Sequence, residues 1–185
     1  MDHRAREKGI TMSVVQLGEL PQGALLNKYK NEGAYADCYF IEVTRLVLQA
    51  DFVEAFYTTP LFKAERLILS RFAGKPSSDL QARQLAAGEI VDFAAWSVEA
   101  RTENQLLLCD YLGRTRSWLM SAPTEVHGVT GTRLYFGSAV VPRRNTATGR
   151  TSMGFIFHAL SGFHRLYSRM LLRAARSRLL ARMPT

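Results

Sequence analysis

The middle of the chain constrains the fold most, because it consists of short strand-like runs joined by turns. These runs cover residues 89–100, 105–111, 114–121 and 132–141. Strands joined by such short connections pair antiparallel, since a parallel pair needs a crossover of about a dozen residues or more. The sequence therefore predicts an antiparallel meander, with one looser connection around Pro123, Gly128 and Gly131.

Helices are predicted to precede the meander. A first strand at residues 36–48 is followed by a helix that Asp51 opens, with Glu54 as its capping-box-like partner. The next helix has Thr59 as its N-cap and Pro60 at its first position, where the missing N–H group costs nothing. We therefore expect at least two helices between the first strand and the rest of the sheet.

Ser78 is predicted to cap a further short helix over residues 79–87, and the final helix begins near Thr151 or Ser152 and runs to about Ala181. Apolar residues recur along the final helix at steps of three and four: Ile156, Leu160, Phe163, Tyr167, Met170 and Ala174. A second stripe, on the opposite side of the helical wheel, consists of arginines: Arg165, Arg169, Arg173 and Arg176. We expect the apolar stripe to pack and the arginines to face outward.

Length and composition fit a single folded domain, since the chain has 185 residues and 47% of them are hydrophobic. Residues 1–12 are polar and are predicted to form a flexible tail, while residues 13–185 form one domain. The order of elements predicts an α+β fold in which a curved antiparallel sheet is covered by the long C-terminal helix. Residues 13–34 are interpreted as an extended lead-in, and residues 143–151 as a polar loop.

The net positive charge of the chain comes from its last third. Residues 126–185 contain ten arginines and no acidic residue, whereas residues 1–125 carry a net charge of −2. A segregated positive field selects acidic partners, such as an anionic membrane surface or an acidic protein. The basic region has no lysine and no nucleic-acid-binding motif, which argues against nucleic acid. An ordinary solvated helix face is the alternative interpretation.

No motif for catalysis, for a metal or for a cofactor stands out, so none of these is predicted. The histidines lack metal-ligand spacing: His3, His127, His158 and His164. Cys38 and Cys109 are interpreted as buried free thiols in a reducing compartment. The chain has no run of ~18 uncharged apolar residues. We therefore expect a cytoplasmic protein, peripheral at the membrane if its arginines bind one.

The chain resembles the helix-grip superfamily, which includes START-like lipid-transfer domains and polyketide cyclases. The segments NQLLLCDYLGRTRSWLMS and GFHRLYSRMLLRAARSRLL are similar to those of a bacterial family of unknown function with that fold, over roughly residues 36–182. The resemblance implies a cavity between the sheet and the final helix that holds an apolar ligand. About five strands are predicted where the superfamily has more, so either an edge strand lies in residues 13–34 or the sheet is truncated.

The predicted ligand-binding residues are the following side chains on the strands and the final helix: Trp96, Asp110, Arg116, Trp118, Tyr135 and Phe163. Asp110 is predicted to pair with Arg114 or Arg116, either to anchor a ligand or as a cross-strand salt bridge. Both tryptophans have core packing as their alternative. The leading hypothesis is a non-catalytic binding protein for a small hydrophobic or lipid-like molecule.

Two other classes of function stay open. One is an interaction module that uses the basic helix on an anionic membrane or an acidic partner. The other is a cyclase-like enzyme on the same fold, whose candidate groups are Asp92, Asp110, Arg116 and Tyr135. A buried carboxylate inside the cavity would favour the enzyme.

Overall fold

The computed structural model describes residues 14–72, 74, 76–141, 143–144, 151–152 and 154–182. Side-chain surroundings are described within these ranges except at 69–70, 72, 143–144, 151–152 and 154–164. The tail predicted at residues 1–12 lies outside the described residues. So does most of the loop predicted at residues 143–151, and so does the side chain of Phe163.

The described chain forms a seven-stranded antiparallel sheet. Its strands are β1 (Gln16–Leu17), β2 (Tyr35–Val43), β3 (Asp92–Phe93), β4 (Trp96–Thr102), β5 (Gln105–Asp110), β6 (Thr115–Val126) and β7 (Val129–Val140). They are arranged in the order β1-β2-β7-β6-β5-β4-β3. The α+β class and the antiparallel meander are confirmed. A separate two-stranded ladder joins β8 (Arg143–Arg144) to β9 (Thr151–Ser152), within residues predicted as a loop.

Two strand predictions are corrected. The connection predicted to be loose is a continuous hairpin, in which β6 and β7 stay paired as far as Val126 and Val129. Its turn residues, His127 and Gly128, have φ angles of 52° and 75°. Positive φ angles at both central residues are characteristic of a type I′ turn, for which Asn-Gly is the usual sequence. Because histidine is uncommon at the first of these positions, the sequence did not predict the turn. The run at residues 89–100 is likewise divided, into β3 and β4.

The lead-in contains an edge strand, which was one of the two alternatives considered. Gln16 pairs with Phe40 and Leu17 with Tyr39, so β1 extends the sheet beyond β2. The pairing ends with a bond from the Gly18 amide to the Cys38 carbonyl. The chain then leaves β2.

Five helices accompany the sheet in the described part of the chain. They are α1 (Asn27–Asn31), α2 (Gln49–Tyr57), α3 (Pro60–Phe72), α4 (Asp79–Ala87) and α5 (Gly154–Arg182). The caps predicted for α3 and α4 are confirmed: Thr59 Oγ1 accepts from the Phe62 amide at 3.2 Å, and Ser78 forms a capping box with Gln81.

The cap predicted for α2 is wrong. That helix begins at Gln49 after Leu48, which provides no side-chain cap, so Asp51 lies inside the first turn. Glu54 forms an ion pair with Arg182 of α5 at 2.9 Å instead. The tertiary ion pair, which sequence spacing does not reveal, takes the carboxylate away from the helix terminus.

Buried side chains pack on both faces of the sheet. On one face, strand residues such as Tyr39 and Phe136 pack with α2, α4 and the C-terminal part of α5; we call this the helix-side core. On the other face, Cys38, Trp118 and Tyr135 pack with residues of the 20–34 segment; we call this the second core. Because side chains alternate along a strand, each strand supplies both cores.

Gly137 on β7 is required by the second core. A Cβ atom at this position would lie 2.8 Å from the Asp37 carbonyl oxygen and 3.0 Å from side-chain atoms of both Leu26 and Trp118. Real Cβ atoms do not approach backbone oxygen so closely, so only glycine lets the indole and Leu26 close over β7.

The buried stripe of α5 differs in phase from the predicted one. The buried residues of its described part are Ser168, Leu171, Leu172, Ala175 and Leu179. Met170, predicted to pack, is 49% exposed, while Tyr167 is half-buried and donates its hydroxyl to Glu65 of α3. Two stripes with steps of three and four run along this helix about one residue apart. The stripe that contains Leu171 and Leu172 is the buried one, because these two adjacent leucines bury more apolar surface than Met170 would.

Replacing Leu172 with alanine tests this phase. Leu172 is fully buried, so Leu172→Ala is expected to lower the free energy of unfolding by about 2–5 kcal/mol. Met170→Ala is the matched control on the neighbouring face, and it is expected to change stability by less than about 0.5 kcal/mol. Urea unfolding measures both. Equal losses in the two variants would contradict the observed phase.

Candidate ligand groove and the predicted site residues

The predicted ligand-binding residues are divided between the two faces of the sheet. Trp96 packs against the helix-side core, whereas Trp118 and Tyr135 belong to the second core. Trp118 is fully buried and donates its indole N–H to Gln105 Oε1 at 2.9 Å. The Gln105 amide in turn donates to the Gly23 carbonyl at 3.1 Å. The indole therefore helps to hold the N-terminal segment on the sheet, and it shares no cavity with Trp96.

Asp110 organises a turn. Its Oδ1 atom accepts hydrogen bonds from the backbone amides of Arg114 at 2.6 Å and Thr115 at 2.9 Å. The predicted contact with Arg114 is thus made through the main chain. The side chain of Arg116 pairs with Glu99 instead, with 2.5 Å between Nε and Oε2.

Glu99 is the centre of a polar cluster that ties α1 to the sheet. It lies at a β-bulge, where the register of β4 shifts between Val98 and Ala100. Its carboxylate accepts from the Tyr29 hydroxyl and from Lys28 Nζ at 3.2 Å, and the Arg116 guanidinium lies 4.5 Å from the centre of the Tyr29 ring. The sequence did not reveal this cluster, because period-two alternation breaks at a bulge.

The environment of Glu99 favours its charged form. Partial burial acts to raise its pKa, but hydrogen bonds from Tyr29 and Lys28 and the charge of Arg116 outweigh it, so the pKa lies below its ordinary value. A carboxylate with a depressed folded-state pKa stabilises the protein above its unfolded pKa. The contribution is lost as pH falls through the folded pKa.

Replacing Glu99 with glutamine tests the cluster. Glu99→Gln is expected to lower the free energy of unfolding by about 1–3 kcal/mol at neutral pH, because charge-assisted hydrogen bonds are lost. The difference from the parent protein is expected to shrink as pH falls through the folded-state pKa of this carboxylate, which lies below its ordinary value. Glu103→Gln, in the exposed turn after β4, is the matched control. A difference that is independent of pH would contradict the ionic role.

An open groove of about 440 Å³ lies where β1, β2 and α5 meet. It is lined by residues 17–20, by residues 35–39 of β2, and by Lys30, Arg165 and Arg169. Small-molecule sites commonly measure about 300–1,000 Å³, so the volume suits one small ligand. The three lining parts are distant in sequence, and only pairing of β2 with both β1 and β7 brings them together.

Charged groups of both signs line the groove. Lys30, Arg165 and Arg169 are exposed cations, and the Arg169 guanidinium lies 5.8 Å from the centre of the Tyr39 ring. Asp37 is only 8% exposed, and its Oδ1 accepts from the Ser138 amide at 3.1 Å and hydroxyl at 2.7 Å. A buried carboxylate in the cavity was the feature expected of an enzyme. The Oδ1 atom of this carboxylate, however, links β2 to β7 through Ser138.

Two further lining groups are neutral at physiological pH. Burial, followed by the charge of Asp37, raises the pKa of the Tyr39 hydroxyl to about 12. Burial and the same carboxylate raise the pKa of the Cys38 thiol to about 12, so the thiolate nucleophile is scarce. The Tyr39 hydroxyl is buried and has no hydrogen-bond partner among the residues that the structure describes.

The predicted arginine stripe divides into three environments. Arg165 and Arg169 line the groove, Arg173 is exposed, and Arg176 is half-buried with its Nε donating to the Glu42 carbonyl at 3.3 Å. Burial, followed by the nearby charge of Arg173, lowers the pKa of Arg176. Arg176 therefore links α5 to β2 through this hydrogen bond.

The four groups named for an enzyme do not meet in the groove. Asp92 accepts a hydrogen bond from Ser97 at the β3 edge, Asp110 and Arg116 serve the turn and the Glu99 cluster, and Tyr135 packs in the second core. Among the described residues, no cluster of His, Cys, Asp and Glu has a metal-binding arrangement. No helix in the described ranges is long and apolar enough to cross a membrane.

Comparison of the chain with protein-family models, with curated proteins and with solved structures finds no match. The resemblance to the helix-grip superfamily therefore stays a prediction.

Proposed function

We propose that this protein binds a small hydrophobic or lipid-like molecule in the groove between β1, β2 and α5, without transforming it. The observation that carries the proposal is the groove itself, whose volume of about 440 Å³ is lined partly by apolar side chains such as Leu17 and Leu20. Leu17 is 64% exposed, which leaves apolar surface available to a ligand.

The proposal includes the finer fold assignment, a helix-grip domain in which α5 covers the sheet. Its support is that β2 lies beside β7 with helices α2 to α4 between them in sequence, and that Leu171 and Leu172 share a core with Tyr39. The ligand position differs from the superfamily expectation. Aromatic rings occupy the space beneath the helices: Phe52, Phe56, Tyr57, Phe62, Phe93 and Phe136.

Binding is favoured over catalysis by the state of the lining groups. The buried carboxylate and the thiol of the groove, Asp37 and Cys38, are its candidates for a general base and a nucleophile. One oxygen of Asp37 is engaged by Ser138, and the raised pKa of Cys38 keeps its thiol protonated. Nucleophilic catalysis needs a thiolate, which Cys38 does not supply at neutral pH.

Replacing Leu17 with serine tests the groove. Nile red, an uncharged hydrophobic dye, is expected to bind the parent protein, and Leu17→Ser is expected to weaken binding about threefold to tenfold because apolar contact is lost. Dye emission is the signal, since neither tryptophan lines the groove. Leu46→Ser is the matched control, because Leu46 is similarly exposed at 66% but does not line the groove. Equal binding by both variants, or none by the parent, would exclude the proposed site.

A second candidate function is attachment to an anionic membrane surface. It is favoured by the exposure of Leu166 and Met170, at 59% and 49%, beside the exposed Arg173 on α5. Apolar side chains flanked by arginines on one exposed helix face are typical of helices that lie in a membrane interface.

Vesicles of anionic phospholipid test this candidate. Arg173→Gln is expected to weaken binding roughly fivefold, because one cation near such a surface contributes about 1 kcal/mol. Combined replacement of Leu166 and Met170 by serine is expected to weaken it further. Arg114→Gln, an exposed cation on the β5–β6 turn, is the control. A parent protein that stays unbound in low salt would rule the membrane out.

A further inference from the structure

The groove has an apolar part. Leu17 and Leu20 contribute apolar surface where β1 separates from β2, and the buried Cys38 also lines the groove. The Cys38 thiol is neutral, so it adds no charge to this part. An apolar chain or ring laid here would remove the exposed surface of Leu17 from water.

The groove also has a cationic part. Arg165 and Arg169 are four residues apart on α5, so both lie on one face of the helix, and Lys30 adds a third positive charge. A hydrogen bond with Tyr35, which also lines the groove, raises the pKa of Arg165. Two guanidinium groups side by side match the oxygens of a carboxylate or phosphate.

The two carboxylates of the groove offset this cationic part only in part. Asp37 is buried, and its Oδ1 accepts hydrogen bonds from Ser138 on β7. Glu19 is exposed to solvent, as are the three cations, so solvent screens both signs of charge alike. The cations therefore outnumber the carboxylates, and both arginines belong to the segment of the chain that has no acidic residue.

Tyr39 provides an independent observation. It is 1% exposed and lines the groove, yet its hydroxyl has no hydrogen-bond partner within the described residues. A buried hydroxyl without a hydrogen-bond partner is destabilising, because it has lost its hydrogen bonds to water. A polar ligand atom in the groove would remove that cost.

We infer that the ligand of this groove is an amphipathic anion, an apolar chain or ring that ends in a carboxylate or phosphate group bound by Arg165, Arg169 and Lys30. This inference rests on the proposed function, since it assigns a chemical class to the molecule in the same groove. The Tyr39 hydroxyl donates to the anionic group, and the Leu17 side of the groove holds the apolar part.

Calorimetric titration with four probes tests the inference: dodecanoate, dodecyl phosphate, dodecanol and inorganic phosphate. Either charged amphiphile is expected to bind at least about tenfold more tightly than dodecanol, and inorganic phosphate is expected to bind weakly because it lacks an apolar part. Dodecanoate and dodecyl phosphate also separate the two sources of anionic charge.

Charge-neutralising variants locate the anionic group. The double variant Arg165→Gln with Arg169→Gln is expected to lose most of the preference over dodecanol. The double variant Arg114→Gln with Arg173→Gln removes the same amount of charge outside the groove. It is expected to keep the preference for charged amphiphiles over dodecanol. The variant with lysine at both groove positions is expected to retain part of the preference. Thermal unfolding without ligand monitors folding of each variant.

Tyr39→Phe separates a ligand role from a structural role. It is expected to weaken dodecanoate binding about threefold to tenfold, while stability without ligand stays the same or rises because a buried unpartnered hydroxyl is removed. A structural role would move stability down instead. Falling stability with unchanged affinity would overturn the assignment of this hydroxyl.

The remaining outcomes distinguish failure of the anionic ligand class from failure of the proposed binding function. Equal binding of dodecanoate and dodecanol, in the parent and the double variant, would overturn the anionic class while leaving the proposed function intact. Binding of neither amphiphile would overturn both. Tight binding of inorganic phosphate alone would also overturn the amphipathic class.

Discussion

The pairing of β2 with β7 is the constraint on which the rest of this structure depends. The two strands are paired along nine positions, from Tyr35 opposite Val140 to Val43 opposite Thr132, although about a hundred residues separate them in the chain. Such distant segments are costly to bring together, so contacts at the seam must favour this register. Asp37 accepts two hydrogen bonds from Ser138 directly opposite, and Gly137 leaves room for Trp118 and Leu26. On its other edge β2 pairs with β1, and β2 carries Tyr35 and Tyr39, which line the groove.

Packing of buried side chains on both sheet faces explains why the groove lies at the margin. The helix-side core is filled by aromatic rings, as shown by the 4.8 Å between the ring centres of Phe56 and Phe136. The second core is closed by the N-terminal segment, which Gln105 holds through the Leu25 amide at 2.9 Å and the Gly23 carbonyl. Interiors packed in this way leave little room for a ligand. Space arises where β1 ends, because the chain departs from β2 there.

Local signals in the sequence were sufficient for most of the elements. The boundaries of α3 and α4 followed from Thr59, Pro60 and Ser78, because capping and proline preferences act within one helical turn. The meander followed from its turns. The β6–β7 hairpin was missed because His127 is an uncommon residue at positive φ, and the phase of α5 was missed because two stripes satisfy the same periodicity.

The candidate site was less accessible to sequence reasoning. Arg165 and Arg169 were identified from the charge pattern, but Lys30, Asp37 and Tyr39 carry no motif. Their proximity depends on the edge strand and on long-range pairing, which a single sequence does not encode locally. Trp118 and Tyr135 were selected because they are aromatic, and large aromatic side chains most often serve a core.

The uneven charge distribution is partly neutralised within the fold. Arg182 of α5 pairs with Glu54 of α2, and Arg133 of β7 pairs with Glu42 of β2 at 2.6 Å. Basic residues of the last third thus meet carboxylates of the acidic first part, which explains why an acid-free segment folds without strong repulsion. Among the arginines of the last third whose side chains the structure describes, Arg165, Arg169 and Arg173 remain exposed on α5, and the first two line the groove. Positive charge at that position favours an anionic ligand more directly than the total charge of the chain does.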